Sequence, residues 1–455
     1  MYDDNRQDQY HQLLRLYNPT LGPVVGVSIF CPDTWDLSMY GTSCKHRSAA
    51  MHFRDLVGKS LIDDSDGISI GGKGPTAQLA FLSTLGEAAE RLLAVFHSGT
   101  LADQVEYATY TELQRAGRLA LGPADIFLFA KEQYADGNFP FEPFLPTTRL
   151  GWVEGTLLRT SEPILVPAQL VLFYWMRHKN EARIGYATSG GLAFHTSRQR
   201  AILHGLYENM ERDAVNLAWY CRLAPARVNL NVETRLCELG FGKMRMSTPS
   251  IPPVKLLLNS LDVPIPVFTA VTIDNAKDEL SLLAGGGTWS NRDRALIQSV
   301  FEIGQMRTGF NISRGDWSDV SSDAKLSDLT DFFFSSVYYG YRRNRTRLDW
   351  YVNNGEEISW EDVPTQSFED DDEEYAWITN WMKGAGFDPI LFDFDSACWP
   401  GVYVTKVFVP GLVQAFVPSW PYFGHPRFYE VPRAIGRSNR RLTFVDLNAD
   451  PLPFP

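Results

Sequence analysis

The apolar positions of this 455-residue chain follow two rhythms. Three stretches repeat every three to four residues, the spacing of one helix face: Gln78 to about His97, about Ser197 to Cys221, and about Arg292 to Thr308. Shorter apolar segments of strand character run between them. "LGPVVGVSIF" at 21–30 reads as a turn and then a strand, and "VPIPVFTAVTID" at 263–274 as a strand. "LRTSEPILVPAQLVLFYW" reads as strand material broken by proline. Residues 5–17 pattern as a short amphipathic helix, and "SIGGKGPT" at 69–76 as a glycine-rich turn before the first long helix. Strands alternating with long helices predict a mixed α/β core. Length alone suggests two to three structural units. With no fixed-period repeat and no low-complexity linker, the pattern favours one elaborated catalytic unit.

Composition narrows the class. Hydrophobic residues make up 44% and charged residues 21%, as in ordinary globular chains. The formal net charge of −12 argues against nucleic acid as a partner. The start "MYDDNRQDQY" is polar and acidic, so no signal peptide is expected. The apolar run "LVLFYWM" at 170–176 is too short to cross a membrane. Five cysteines, at 31, 44, 221, 237 and 398, form no CxxC pair. Scattered thiols predict a reduced, cytoplasmic protein without structural zinc. "DDDEE" at 370–374 reads as a solvated loop or a helix start.

One internal echo carries chemistry. "STLGEAAERLL" and "GLYENMERDAV" both hold E-x-x-E-R, as Glu87, Glu90, Arg91 and as Glu208, Glu211, Arg212. On a helix, residues three apart share a face, so each helix presents two carboxylates beside an apolar stripe. If the pairs converge, four carboxylates repel one another unless a hard cation neutralises them. Oxygen-only ligands select Mg²⁺ or Ca²⁺, and carboxylate-bound Mg²⁺ usually brings nucleotide phosphates with it. Upstream, "GISIGGKG" is nearly a phosphate loop, but Gly74 stands where Ser or Thr should be; "VGKS" at 57–60 lacks the upstream glycine. The backbone of Gly71, Gly72 and Gly74 with Lys73 still offers a weak phosphate cradle.

These residues resemble the YcaO family of ATP-using enzymes that act on peptide amide bonds. "GGKGPTAQLAFLSTLGEAAERL" resembles the family's first signature and "SGGLAFHTSRQRAILHGLYENMERDAV" its second. "FEIGQMRTGFNISRGDW" is similar to a third, E-x-x-Q-x-R followed by an Arg-Asp element. The end, "VFVPGLVQAF" through "LNADPLPFP", resembles the branch that makes azoline rings and finishes on P-x-P-x-P. The resemblance implies a YcaO-type mixed α/β ATP-binding fold. Residues 1–66 would form its N-terminal part, 67–443 the catalytic core and 444–455 a proline-rich tail.

The resemblance also implies roles. Glu87, Glu90, Glu208 and Glu211 would hold Mg²⁺ around ATP, with Ser83 and Arg212 contacting the nucleotide. Lys73, Glu302 and Arg307 match further positions of the ATP site; Gln305 matches the third signature. Two departures stand out: His195-Thr196 where the family usually has G-N, and Arg200 where it often has Glu. Thr196 keeps a hydroxyl there, and His195 reads as a structural hydrogen-bonder. The implied activity is a cyclodehydratase that closes Cys, Ser or Thr of a ribosomal precursor peptide to thiazoline or oxazoline, as in bacteriocin biosynthesis. Thioamide or amidine formation, and a non-catalytic scaffold role, stay open beside it. The implied partners are the precursor peptide, a leader-binding E1-like protein, a flavin-dependent azoline dehydrogenase and a second copy of the chain. "YRRNRTRLDW" and "GRSNRR" are basic stretches that could meet an acidic leader, although a solvated surface is their simpler reading. The residues themselves suggest no catalytic base. The stiff tail, with proline at 451, 453 and 455, is expected to deliver the Pro455 carboxylate to that role.

Overall fold

Three sheets carry the long helices in the computed structural model, which describes residues 13–20, 22–32, 37–46, 70–101, 104–173, 175, 177–242, 244–312, 320–330, 332–394 and 401–453. A three-stranded antiparallel sheet has the order β1 (Val24–Phe30), β2 (Tyr40–His46), β3 (Gly71–Gly74). A second sheet contains β4 (Glu106–Thr109), β5 (Arg149–Leu157), β6 (Pro163–Pro167), β7 (Leu192–His195), β13 (Ile390–Phe394) and β14 (Tyr403–Phe408). Its order is β4-β5-β13-β14-β7, with β6 on β5. The third sheet contains β8 (Ala226–Asn229), β9 (Lys255–Leu258), β10 (Val267–Ile273), β11 (Leu282–Thr288) and β12 (Glu357–Ser359). Its order is β11-β10-β9-β8-β12.

The helical rhythms appear where expected, as α1 (Ala77–Leu101), α2 (Arg198–Tyr220) and α3 (Arg292–Ile312). Helix α1 lies on β3 and also touches β7 and β14. Helix α2 packs on β14 and β7, and α3 covers β11 and β10 while reaching β2 and β3. Helix α2 also touches β11 and β10, so each helix bridges two sheets. Ala88, Ala89, Leu206, Met210 and Ala214 are fully buried and form the apolar stripe beside the glutamates. Burying such a side chain, for Leu206 or Met210, contributes about 1.5–3 kcal/mol.

Two local expectations need correction. The glycine-rich segment Gly71–Gly74 is a strand paired with β2, not a turn. A Cβ on Gly72 would sit 2.4 Å from Ala80 O and from Thr84 Oγ1, so only glycine lets this strand lie directly on the helix backbone. After β6, Ala168–Val171 is a helical turn rather than strand. Of the helix expected at 5–17, only residues from 13 onward lie within the described residues, with one helical turn at 13–14. "VGKS" at 57–60 and the Arg-Asp element near 314–316 lie outside the described residues.

The acidic segment at 370–374 begins helix α5 (Asp371–Gly384); helix α4 is Phe332–Gly340. Asp370 caps α5 by accepting from Glu373 N–H at 2.9 Å, and four carboxylates occupy the first turn. That is where the helix dipole favours negative charge. Helix α6 is Arg427–Ala434. Among the described residues no helix is long and apolar enough to cross a membrane.

Candidate functional site

The two E-x-x-E-R helices meet at the seam with matching local construction. On α1, Glu87 accepts from Gly71 N–H at 3.3 Å and from Gln305 of α3 at 3.5 Å. On α2, Glu208 accepts from Gly191 N–H at 2.9 Å. Each glutamate also faces the arginine four residues on: Arg91 to Glu87 at 3.8 Å, Arg212 to Glu208 at 3.6 Å. A backbone N–H on one side and a guanidinium on the other orient each carboxylate.

The electrostatics join the two halves. Burial raises Glu87, Glu90 and Glu211, Glu90 to about 8; the charges of Glu208 and Glu87 add to the rise at Glu90, and that of Glu208 to the rise at Glu211. Burial also lowers Lys73 to about 8, against the pull of Glu87, Glu211 and Glu90. Lys73 forms an ion pair with Glu302. The side chains of Glu87, Glu90 and Glu208 keep 25%, 21% and 29% of their surface, so the cluster is set among protein atoms yet opens to solvent. Among the described residues, no group of three or more His, Cys, Asp or Glu side chains is arranged to hold a metal ion by itself. The arrangement suits an ion that takes one or two carboxylates and completes its shell with phosphate oxygens and water, the usual habit of Mg²⁺. A charged group is also what relieves the repulsion that raises Glu90.

The third sheet supplies a wall that the sequence reading missed. Gly285, Gly286 and Gly287 run along β11. A Cβ on Gly286 would lie 2.3 Å from Glu211 Oε1, so the carboxylate rests on bare backbone. Three successive glycines in a strand are the signal that could have found it, because they mark close approach by another group.

Ser83 is half-buried on α1, one turn before Glu87, and Thr196 is half-buried in the two-residue link between β7 and α2. His195 Nδ1 accepts from Ser197 N–H at 2.9 Å, and burial beside Arg200 and Arg294 lowers it to about 4. Its ring thus serves as a hydrogen-bond acceptor within the link between β7 and α2. Arg200 is bound to Asp371 at 2.6 Å, while Gln199 meets Asp372 at 2.8 Å. Tyr207 and Ser290 both donate to the buried Glu374. The acidic start of α5 thus clamps the start of α2, which accounts for the reversed charge at position 200.

Other expected residues are engaged elsewhere. Arg307 pairs with Asp274, a residue just after β10 whose side chain is 2% exposed. The basic stretches are matched within the chain: Arg342 by Asp278, Arg343 by Asp323, Arg347 by Asp450, Arg437 by Glu356, Arg440 by Asp446 and Arg441 by Glu430. Asp213, the residue after Arg212, points away from the cleft. It is fully buried and accepts from Arg427 and from Val413 N–H.

The tail docks on the far end of α2. Trp219 donates to Asp450 O at 2.9 Å, Leu452 N–H to Tyr220 OH at 3.2 Å, and Tyr339 OH to Pro451 O at 2.7 Å. Ser336 of α4 donates to Pro453 O at 3.2 Å. Pro451, Leu452 and Pro453 are buried; Phe454 and Pro455 lie outside the described residues. Lys406 on β14 was also missed. It is 3% exposed, and burial lowers it to about 8 against the pull of Glu208 and Glu90. A lysine within the apolar run "YVTKVFV" was its signal, since lysine is rarely buried without a task.

A family model described as "YcaO cyclodehydratase, ATP- and Mg²⁺-binding" matches residues 71–413. An uncharacterised protein of Methanothermobacter thermautotrophicus is 25% identical over 300 residues, 64% of this chain and 74% of its own. A heterocyclase solved in complex with substrate and cofactor shares the fold at TM-score 0.76 and 22% identity. It covers 98% of this chain, which spans only 57% of its length. The Escherichia coli microcin synthetase McbBCD complex with pro-MccB17 bound matches at TM-score 0.58 and 14% identity, covering 96% of this chain and 98% of its own.

Proposed function

The chain belongs to the YcaO family of ATP- and Mg²⁺-binding cyclodehydratases, and from that membership we propose that it closes Cys, Ser or Thr residues of a precursor peptide to azolines. The observation that carries this reading is the pair of matched carboxylate helices, with Lys73 and the glycine strand, around one cleft. Glu87, Glu90, Glu208 and Glu211 are the carboxylates from which Mg²⁺ would draw one or two direct ligands, the others acting through its water or by charge. Lys73 and Arg212 would meet the negative charge of the triphosphate, with Ser83 and Thr196 as hydroxyl contacts. When bound, Mg·ATP supplies the phosphoryl group that turns the peptide amide oxygen into a leaving group. Glu302 holds Lys73 in place until that charge arrives. Arg307, paired with Asp274 through Nη1, would meet a phosphate with its other guanidinium donors.

The chain's own contribution is to position and to compensate charge, which is most of what phosphoryl transfer asks of a protein. The nucleophile must still lose a proton. We assign that role to the Pro455 carboxylate; the docking of residues 450–453 against Trp219, Tyr220, Ser336 and Tyr339 supports a tail held in one course. The microcin synthetase complex supports a separate leader-binding protein as partner.

The test mixes the chain with Mg·ATP, a precursor peptide and its leader-binding partner. Phosphate release and loss of one water per ring are expected. Neither nucleotide binding nor phosphate release would refute the enzyme reading, and gain of sulfur for oxygen would move it to thioamide formation. Deleting residues 451–455 should slow ring formation by roughly 10²–10⁴-fold, the usual contribution of a general base, while ATP binding persists. Unchanged ring formation would remove Pro455 from the mechanism.

A further inference from the structure

The segment between Phe173 and Gly191 leaves the carboxylate cleft and returns to it. At its start the Arg91 guanidinium stands 5.8 Å from the centre of the Phe173 ring, and Arg91 faces Glu90 at 3.6 Å. At its end Gly191 N–H holds Glu208. Between them runs "RHKNEAR" at 177–183, which sets Arg177, Lys179 and Arg183 against one carboxylate, Glu181. Glu181 is buried and committed: it accepts from Gly151 N–H, Gln169, Trp175 and His178 N–H. Arg177 and Lys179 are exposed, and Arg183 is half-buried.

Arg183 is held by aromatic rings rather than by a carboxylate. Its guanidinium lies 4.6 Å from the centre of the Phe141 ring and 5.7 Å from that of Trp420. Stacking fixes the plane and leaves the N–H edge without an acceptor among the described residues. Arg177 spends one donor on Glu181 O at 2.8 Å. Among the described residues no carboxylate forms an ion pair with Arg177, Lys179 or Arg183. Glu142 comes near, but it accepts from the backbone N–H of Arg183, at 3.1 Å. Burial lowers Arg183, and the charge of Arg177 adds to the fall, so the two guanidiniums feel each other. Neighbouring like charges are unfavourable until an anion joins them. The basic stretches at 341–350 and 436–441 have no such need, because the arginines named above meet carboxylates of the chain.

Resting on the azoline-forming reading above, we propose that Arg177 and Arg183, with Lys179 in the same loop, form an anion site that binds acidic side chains of the precursor peptide. A carboxylate meets the N–H edge of Arg183 in the paired hydrogen-bond geometry that arginine favours, and Arg177 supplies the second charge. The nucleotide's phosphates have Lys73 and Arg212 in the cleft, which leaves a peptide carboxylate as the anion for this loop. A chain of net charge −12 repels an acidic peptide over much of its surface, so unpaired cations select where it settles. The reach fits as well. Phe173 and Arg177 are four residues apart, at most about 14 Å. From the loop, an extended peptide of about nine residues, roughly 30 Å, spans back to the carboxylates. Acidic residues at about that separation from the reacting Cys, Ser or Thr are held here while the ring closes in the cleft.

The experiment uses the full chain and two capped peptides, N-acetyl-Gly-Glu-Glu-Glu-Phe-Gly-amide and its counterpart N-acetyl-Gly-Gln-Gln-Gln-Phe-Gly-amide, with binding read by calorimetric titration. In about 0.05 M salt the glutamate peptide should bind about tenfold tighter, and in about 0.5 M salt the preference should shrink to about twofold. Arg177→Gln with Arg183→Gln should abolish the preference. Arg437→Gln with Arg440→Gln, which removes the same charge elsewhere, should keep it. Arg183→Lys, which keeps the cation but not the paired donors, should retain part of the preference and guards against a folding artefact. Equal binding of the two peptides by the unmutated chain, or binding of neither, would overturn the site. So would equal losses in the two double variants, since net charge alone would then be responsible. Displacement of the glutamate peptide by inorganic phosphate at about 1 mM would make this a phosphate site and overturn the carboxylate assignment. Absence of Mg·ATP binding in the unmutated chain would instead refute the enzyme reading, and the peptide comparison would still be readable.

Discussion

On α1, Glu87 takes the N–H of Gly71; on α2, Glu208 takes that of Gly191, and an arginine follows each four residues on. Beyond that shared centre the helices diverge. Helix α1 receives Lys73 from a strand laid against its backbone, and Lys73 turns to Glu302 of α3. Helix α2 is tied at its start by Arg200 to Asp371, in its middle by Asp213 to Arg427, and at its end by Trp219 and Tyr220 to the tail. The difference teaches that the repeated motif builds the site, while the unrepeated neighbours divide the labour. One helix brings in a cation; the other anchors the C-terminal third of the chain.

The comparison breaks most sharply if the two carboxylate pairs are not equivalent. Glu208→Gln with Glu211→Gln, and Glu87→Gln with Glu90→Gln, should each lower Mg·ATP affinity by about 100-fold or more, since a hard cation needs charged oxygen ligands. Calorimetric titration decides this; normal affinity in one double variant would confine the metal to the other helix.

The next effect is on stability and belongs to α2 alone. Asp213→Ala leaves Arg427 buried without its main partner and should cost about 3–5 kcal/mol, measured by urea denaturation. A loss under about 1 kcal/mol would show that Asp262 suffices for Arg427.

A smaller change tests the wall that α2 faces. Gly286→Ala puts a methyl where Glu211 Oε1 now rests. The flexible carboxylate moves rather than the backbone, so Mg·ATP affinity should fall by about tenfold while the midpoint temperature shifts by no more than about 4 °C. Unaltered affinity would mean that Glu211 does not serve from its present position.

The mildest expected effect is on pH dependence, and its sign differs between the halves. Glu90 has a folded value near 8, above its ordinary 4.5. Its contribution is therefore fully present below about pH 4.5 and is lost as pH rises toward 8. His195 has a folded value near 4, below its ordinary 6.5. Its contribution is present above 6.5 and is lost as pH falls toward 4. Melting curves of the nucleotide-free protein should show Glu90→Gln gaining stability relative to the parent on the alkaline side and His195→Gln on the acidic side. A common shift at all pH values would remove both attributions.

The glutamates, Arg91, Arg212 and the three long helices were legible because helical periodicity and the E-x-x-E-R echo are local properties. The tail's docking was half legible. Its prolines announce stiffness, but nothing in "ADPLPFP" names Trp219 or Tyr339. Lys406 and Gly286 were not singled out, because a buried lysine and a glycine in a strand become functional only through what stands opposite. Arg200 was visible as a reversed charge, yet its meaning needed Asp371, 171 residues away.

The sequence alone determined which helices form, which faces carry carboxylates, and that prolines at 451 and 453 restrict the backbone there, since these follow from side-chain spacing and backbone restriction within a few residues. Only the tertiary structure decided that two helices would share one cleft, that β3 would be a strand against α1, and that Lys406 would open onto an aromatic cavity. Those outcomes depend on contacts between residues far apart in the chain. Local propensity carries no information about such contacts until the sheets pack.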